Sequence, residues 1–233
     1  MQNSGEDGVD ITVVVPVLNE EQSVALLYQE LLSVLGATGQ VFELLFVDDG
    51  STDGTYAVLE RLHQQDARVK VIRFRRNFGK SAALAAGFEA AAGEVVFTMD
   101  GDLQDSPAEI PRFLAQLAEG YDLVSGWKYP RHDPLGKTLP SRLFNWTVAM
   151  TTGVKLHDFN CGFKAYRREV VKEIRLYGEL HRYTPILAYQ RGFRVTEIKV
   201  AHRPRKYGRS KYGFRRFARG FFDLLTVLFL GAY

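Results

Sequence analysis

Cysteine is nearly absent from this sequence, with one thiol, Cys161, in 233 residues. A lone thiol excludes an intrachain disulfide framework and a Cys-rich zinc site, and it fits a small buried residue in a reducing compartment. Repeats and low-complexity segments are missing too. The start, MQNSGEDGVD, has neither a basic nor an apolar stretch, so no secretory signal is expected and the globular part is placed in the cytoplasm. The apolar end LLTVLFLGAY runs only ten residues, against about 20 for a membrane crossing. The expectation is that residues 221–233 begin a membrane segment whose remainder is missing; a final helix lying flat in the interface is the alternative. Two nucleotide fingerprints are absent as well. No G-x-G-x-x-G occurs, and GKS at 79–81 has Phe74 where a phosphate loop needs its first glycine. Lys80 and the preceding Arg75, Arg76 and Asn77 then read as a solvated loop at a helix start.

Charge is present in quantity but divided. Residues 1–150 hold 12 Lys/Arg against 21 Asp/Glu, and residues 151–233 hold 18 against 6, giving −9 and +12. The division suggests an acidic site facing a cation and a basic tail facing phosphates or an anionic surface. From Ile198 to Phe222 no acid interrupts Arg203, Arg205, Lys206, Arg209, Lys211, Arg215, Arg216 and Arg219. Phe214, Phe217, Phe221, Leu224 and Leu228 recur at helical spacing beside them. That amphipathic stretch suits a membrane surface, or else a contact with the core; nucleic acid is the less favoured partner.

The first half alternates short apolar runs (ITVVVPV, FELLFV, VKVIRF, EVVFT, YDLVSG) with stretches predicted as helices at 20–35, 53–65, 80–92 and 107–119. This beat predicts a parallel sheet covered on both faces, with ligands beyond the carboxyl ends of its strands. A loop from Tyr129 to Pro140, a helix at 141–151, a helical stretch at 184–191 and the strand FRVTEIKV complete the chain. The loop reads as a lid or acceptor site, or as disordered.

Acids follow two of the apolar runs. Asp48 and Asp49 open DDGSTDGT, where Ser51 or Asp53 is a candidate helix cap. A carboxylate there also suits a ribose hydroxyl or a base N–H. In MDGDLQD, Gly101 separates Asp100 from Asp102, a spacing that lets a bent backbone aim both carboxylates at one point, and Gln104 adds a neutral oxygen. Few oxygen ligands suit Mg²⁺ or Mn²⁺ completed by substrate phosphates. Asp105 or Ser106 would cap the helix opening at Pro107.

Taken in order, VVVPVLNEE, FVDDGSTDGT, RNFGKSAALAAGF, MDGDLQDSP, DFNCGFKAYRREV and YGRSKYG resemble the family 2 inverting glycosyltransferases, most closely those acting on polyprenyl phosphates. The resemblance implies an α/β GT-A fold, with a Rossmann-like, mostly parallel sheet flanked by helices and a C-terminal amphipathic juxtamembrane helix. It places a flexible start at 1–10, a catalytic domain at 11–212 and the basic helix at 213–233. Pro16, Leu18, Glu20 and Asp48, with Asp49 beside it, would surround the nucleotide-sugar, and Arg205, Ser210 and Lys211 would close over its diphosphate. Asp100, Asp102 and Gln104 would hold Mg²⁺ or Mn²⁺. Lys128, Lys137 and Ser141 fall at the acceptor phosphate; the family usually has Arg at the first two, and Lys offers a point charge instead of a bidentate fork. Asp158 matches an acid near the acceptor, so Asp100, Asp102 and Asp158 are the catalytic candidates. The implied partners are a nucleotide-sugar donor, a polyprenyl phosphate and the cytoplasmic face of a membrane, with no nucleic acid; a homo-oligomer is compatible. The alternatives are a family 2 enzyme with a sugar or protein acceptor, and a peripheral membrane-binding module without activity.

Overall fold

The structure, a computed structural model, describes residues 8–129 and 153–204. Seven strands form one sheet: β1 (Ile11–Val17), β2 (Phe42–Asp48), β3 (Val69–Arg73), β4 (Val95–Thr98), β5 (Leu123–Lys128), β6 (Lys164–Arg167) and β7 (Val195–Val200). Their spatial order is β3-β2-β1-β4-β6-β5-β7. β1 pairs in parallel with β2 and β4, β2 with β3, and β5 with β7. Only β6 runs the other way, between β4 and β5. Central parallel strands are covered on both faces and therefore read as continuous apolar runs, as ITVVVPV and FELLFV do.

Helices cover both faces: α1 (Val24–Gly36), α2 (Thr55–Gln65), α3 (Lys80–Ala90), α4 (Ile110–Ala118), α5 (Arg168–Glu173) and α6 (Thr184–Gln190), with 3₁₀ turns at Pro107–Glu109 and Leu180–Arg182. The pleat sends Val13, Val15 and Val17 of β1 into one core, with Leu27, Leu31 and Leu35 of α1 and Phe113 of α4. Val14 goes into the other, with Ala83, Leu84 and Phe88 of α3. Phe97, Phe113 and Phe163 pack edge-on or tilted, with centroids 4.5 to 6.3 Å apart, and join β4, α4 and the entry to β6.

The expected mostly parallel sheet is present, with differences at its details. α1 begins at Val24 instead of Glu20, because the backbone amides of Glu20 and Glu21 are given to Thr55, the first residue of α2, and to Asp53 just before it. Neither Ser51 nor Asp53 is the N-cap of α2; Gly54 is, and Asp53 folds back to accept from Thr55 N at 3.0 Å. Ser106 stands at the N-cap before Pro107, yet its hydroxyl accepts from Arg203 instead of capping. The expected helices at 141–151 and 213–233 lie outside the described residues. Among the described residues, no helix is long and apolar enough to cross a membrane.

α3 lies close on β1, and Gly87 permits it: a Cβ there would sit 2.3 Å from Val14 Cγ1. Gly87→Ala should cost about 1–3 kcal/mol through overpacking. Gly36 ends α1 with nothing within 4 Å of such a Cβ, so Gly36→Ala should stabilise by about 0.5–1 kcal/mol. Denaturant unfolding of both variants checks this pair; shifts of the same sign would contradict it.

Candidate active site

The order β2-β1-β4 places the topological switch between β1 and β4. The pairs Val17 with Asp48 and Val14 with Thr98 bring the carboxyl ends of these strands to one rim. Both acidic motifs therefore meet there, as their positions after apolar runs suggest.

At the β2 end, two loops are laced together. Asn19, at φ 52°, donates its N–H to Ser51 Oγ (2.9 Å) and accepts from Thr52 N (2.7 Å), while Glu21 accepts from Gly54 N (2.8 Å). Pro16, Leu18 and Glu20 stand half-buried along this seam. Asp48 is fully buried; its Oδ1 accepts from Ser51 N at 2.9 Å, and its Oδ2 has no hydrogen-bond donor, with Arg73 Nε 3.9 Å away. Asp49 faces elsewhere. It accepts from Asn77 Nδ2 (2.9 Å), Phe78 N (2.7 Å) and Gly79 N (3.0 Å), and so holds the loop between β3 and α3. Burial lifts Asp49 above the ordinary carboxylate value, those N–H donors offset part of the rise, and Asp48 adds to it. A Cβ at Gly50, whose φ is 75°, would fall 2.4 Å from the Arg76 carbonyl carbon, so this turn also presses against the same loop.

The β4 end carries Asp100 and Asp102. Asp102 is buried and accepts from Gln104 N at 3.1 Å across Leu103, whose φ of 64° is unusual for a branched side chain. Leu103 is held in that conformation by burial in the core. Asp100 forms an ion pair with Lys80, the first residue of α3. Burial alone would raise Asp100, but Lys80 and then Lys128 override it and hold the carboxyl well below its usual value. Gly162 lies against the same carboxylate, since a Cβ there would approach Asp100 Oδ2 to 2.8 Å. Gln104 directs its amide nitrogen to the Arg203 carbonyl at 3.4 Å.

Behind this rim, β5 and β6 supply two lysines. Lys128 Nζ lies 3.4 Å from Asp105 Oδ1. Burial pulls its ammonium down, but Asp105 first and then Asp100 and Asp158 among its neighbours keep it far above the ordinary lysine value. It remains charged. Asp158 is fully buried and its Oδ1 accepts from Asn160 N at 3.0 Å. Lys164 donates to the Cys161 carbonyl, and burial pulls its ammonium down to about 8. His181 pairs through Nδ1 with Ser81 Oγ at 2.9 Å; burial, then Lys80, Arg182 and Lys164, keep it neutral. Lys80, Thr98, Asn160, Lys164 and His181 line a small cavity of about 10 Å³.

Of the expected site residues, Asp100, Lys128 and Asp158 lie within reach of one another's charge, Asp102 and Gln104 share the turn that follows Asp100, and Asp48 stands along the same rim. Lys137, Ser141, Arg205, Ser210 and Lys211 lie outside the described residues. Lys80, Asp105, Lys164 and His181 were not anticipated. The position of Lys80 just after Gly79 at a helix start was the available signal. Among the described residues no three His, Cys, Asp or Glu converge as a metal cage. Two adjacent carboxylates are nevertheless the donor set that Mg²⁺ or Mn²⁺ takes when phosphates complete its shell, and Asp100 is partly exposed and firmly ionised. The residues present fit such an ion.

The model of Glycosyl transferase family 2 matches residues 12–175. Dodecaprenyl-phosphate galacturonate synthase of Rhizobium johnstonii is 37% identical over 236 residues, covering 99% of this chain and 70% of its own. Undecaprenyl-phosphate 4-deoxy-4-formamido-L-arabinose transferase of Pseudomonas paraeruginosa is 39% identical over 219 residues, covering 94% of this chain and 65% of its own. The chain thus spans about two thirds of the length of these curated relatives. The fold is also that of glucosyl-3-phosphoglycerate synthase from Mycobacterium tuberculosis, solved with Mn²⁺, uridine diphosphate and glucosyl-3-phosphoglycerate. That structure has a TM-score of 0.72 and 22% identity, covering 95% of this chain and 80% of that one.

Two outcomes follow from this geometry. Asp49→Ala removes the charged acceptor of the part-buried N–H groups of Asn77, Phe78 and Gly79 and should cost about 1–3 kcal/mol in urea unfolding; a loss below about 0.5 kcal/mol would show that the loop is held by something else. Lys164 has a folded value of about 8 against an ordinary 10.5. The native state therefore sheds this proton first, and stability should rise between those pH values. Lys164→Met should lack that rise, so the difference in unfolding free energy between wild type and variant should change across the window; a constant difference would refute the assignment.

Proposed function

The chain belongs to Glycosyl transferase family 2, and on that premise we propose that it moves a sugar from a nucleotide-sugar donor to a polyprenyl phosphate at the cytoplasmic face of a membrane. The observation that carries the acceptor is Lys128, a buried ammonium kept charged behind the acidic turn of Asp100 and Asp102. Such a cation, set away from the nucleotide end of the rim, suits a second phosphate. Both relatives are named for polyprenyl phosphates, which supports the same choice.

The roles divide along the rim. Asp48, with a buried oxygen lacking a donor, receives a ribose hydroxyl or a base N–H beside Pro16, Leu18 and Glu20. Asp49 acts on that end by holding the 77–79 loop. Asp100 and Asp102, with Gln104, would hold Mg²⁺ or Mn²⁺, whose charge would stabilise the departing nucleoside diphosphate. Lys128, with Lys137 and Ser141, positions the acceptor phosphate, and Arg205, Ser210 and Lys211 close over the donor diphosphate. An acceptor phosphate oxygen bonds to the anomeric carbon from the face opposite the diphosphate, the old carbon–oxygen bond breaks, and its electron pair leaves with the diphosphate. The result is inversion. The acceptor is already ionised near neutral pH, so no strong base is required. Asp158, committed through Oδ1 to its own turn, orients the acceptor side of the site.

Asp102→Asn should reduce sugar transfer about a hundredfold or more while leaving the thermal midpoint near wild type. Activity close to wild type at saturating Mn²⁺ or Mg²⁺ would overturn the metal assignment. Lys128→Met should raise the KM for polyprenyl phosphate and leave that for the nucleotide-sugar nearly unchanged. A panel of nucleotide-sugars assayed against polyprenyl phosphate gives both readouts, and equal losses would assign Lys128 to the donor or the fold.

A further inference from the structure

The acidic turn already has a cation. Lys80, at the start of α3, reaches Asp100 after β4, and its place is fixed from two directions. On one side Gly79, at φ 95°, is anchored by its N–H on Asp49. On the other, Ser81 Oγ accepts from His181 N at 3.1 Å and pairs with His181 Nδ1 at 2.9 Å, tying the start of α3 to the 3₁₀ turn at Leu180–Arg182. The backbone at Gly162 closes another side of the Asp100 carboxylate. Yet the pair borders solvent, with side chains 23% and 29% exposed for Lys80 and Asp100, so an entering ligand can reach it.

A divalent ion bound to Asp100 at about 2.0–2.1 Å would lie against the Lys80 ammonium. Like charges at that separation cannot share one carboxylate at low cost. The ammonium has a flexible stem and must turn aside, and the nearest new anion is the diphosphate that arrives with the ion. We propose that Lys80 is a resident counter-ion: it neutralises Asp100 in the nucleotide-free protein, yields the carboxylate to the divalent ion, and then pairs with the donor diphosphate. Metal and nucleotide binding thereby become mutually dependent, because each removes a cost from the other. Lys80 thus suppresses occupancy by bare metal and favours the metal–nucleotide pair. The inference rests on the metal site assigned above to Asp100 and Asp102.

Mn²⁺ binding to the whole chain, read by electron paramagnetic resonance without any turnover, tests it. Wild type should bind Mn²⁺ weakly alone and more tightly with saturating UDP or GDP, tried in turn. Lys80→Met should tighten bare Mn²⁺ binding about tenfold and shrink the nucleotide-induced gain by a similar factor. Lys80→Arg, which keeps the charge, should stay near wild type in bare Mn²⁺ affinity. Unchanged or weaker bare Mn²⁺ binding in a folded Lys80→Met protein would overturn the proposal, as would equal tightening in Lys80→Arg. Asp100→Asn separates the two levels. If it abolishes Mn²⁺ binding while Lys80→Met matches wild type, only the role of Lys80 fails; if it binds Mn²⁺ like wild type, or if no form binds Mn²⁺, the metal site itself is wrong.

Discussion

Carboxylates gathered at the ends of buried strands repel one another, and the arrangement of this domain around its rim is an answer to that repulsion. Asp100, Asp105 and Asp158 stand against Lys80, Lys128 and Lys164, which arrive from α3, β5 and β6. No two of these lysines share an element. Removing solvent from a charge is costly unless a partner replaces it, so the site constrains where α3 and β6 start and where β5 ends. The compensation also leaves a graded field. Lys128 is raised by its acidic neighbours, whereas Lys164, whose burial outweighs the acids near it and which Lys80 lowers further, falls to about 8.

The adjacent acids Asp48 and Asp49 show how neighbouring residues divide labour. Asp48 stays at the strand end with one oxygen unclaimed by a donor, while Asp49 is spent on the 77–79 loop. That loop begins the helix whose first residue is Lys80. The Asp48–Asp49 end and the Asp100 end of the rim are therefore joined through a short segment, Asn77 to Lys80. A change at Asp49 would be felt at Asp100 without any contact between them.

Much of the scaffold was legible in the sequence because β-branched and apolar runs alternate with helical stretches, a pattern that buried parallel strands enforce. β6 was not legible. Lys164 and Arg167 interrupt KAYR, and only the structure shows that Lys164 is buried against the Cys161 carbonyl while Arg167 reaches the carbonyls of Leu117 and Tyr121. The acids at 48–49 and 100–102 were readable from position alone, because a like-charged cluster after an apolar run demands a partner. Lys80 was not, since its partner lies 20 residues away on another strand end and the GKS tripeptide resembles a solvated loop start. The same holds for His181, which meets Ser81 across 100 residues. Pairings of that span depend on topology, and no local spacing encodes them.

The exit from β7 gives the basic C-terminal residues a fixed point of departure. Arg203 donates its backbone N–H to Gln104 O at 2.9 Å and grips both carboxylate oxygens of Glu30 at 2.9 Å, with Ser106 Oγ accepting from the same guanidinium at 2.9 Å. His202 forms a bridge to Asp105, the residue that faces Lys128. The turn carrying Asp102 and Gln104 is thus sandwiched between the core beneath it and the chain leaving β7. Exposed ion pairs of this kind contribute little stability individually, so their value lies in geometry. They fasten the exit from β7, through Arg203, to the edge of the acidic turn. A shift of the Gln104 side chain would loosen its contact with the Arg203 carbonyl, so the acidic turn and the exit from β7 are linked mechanically.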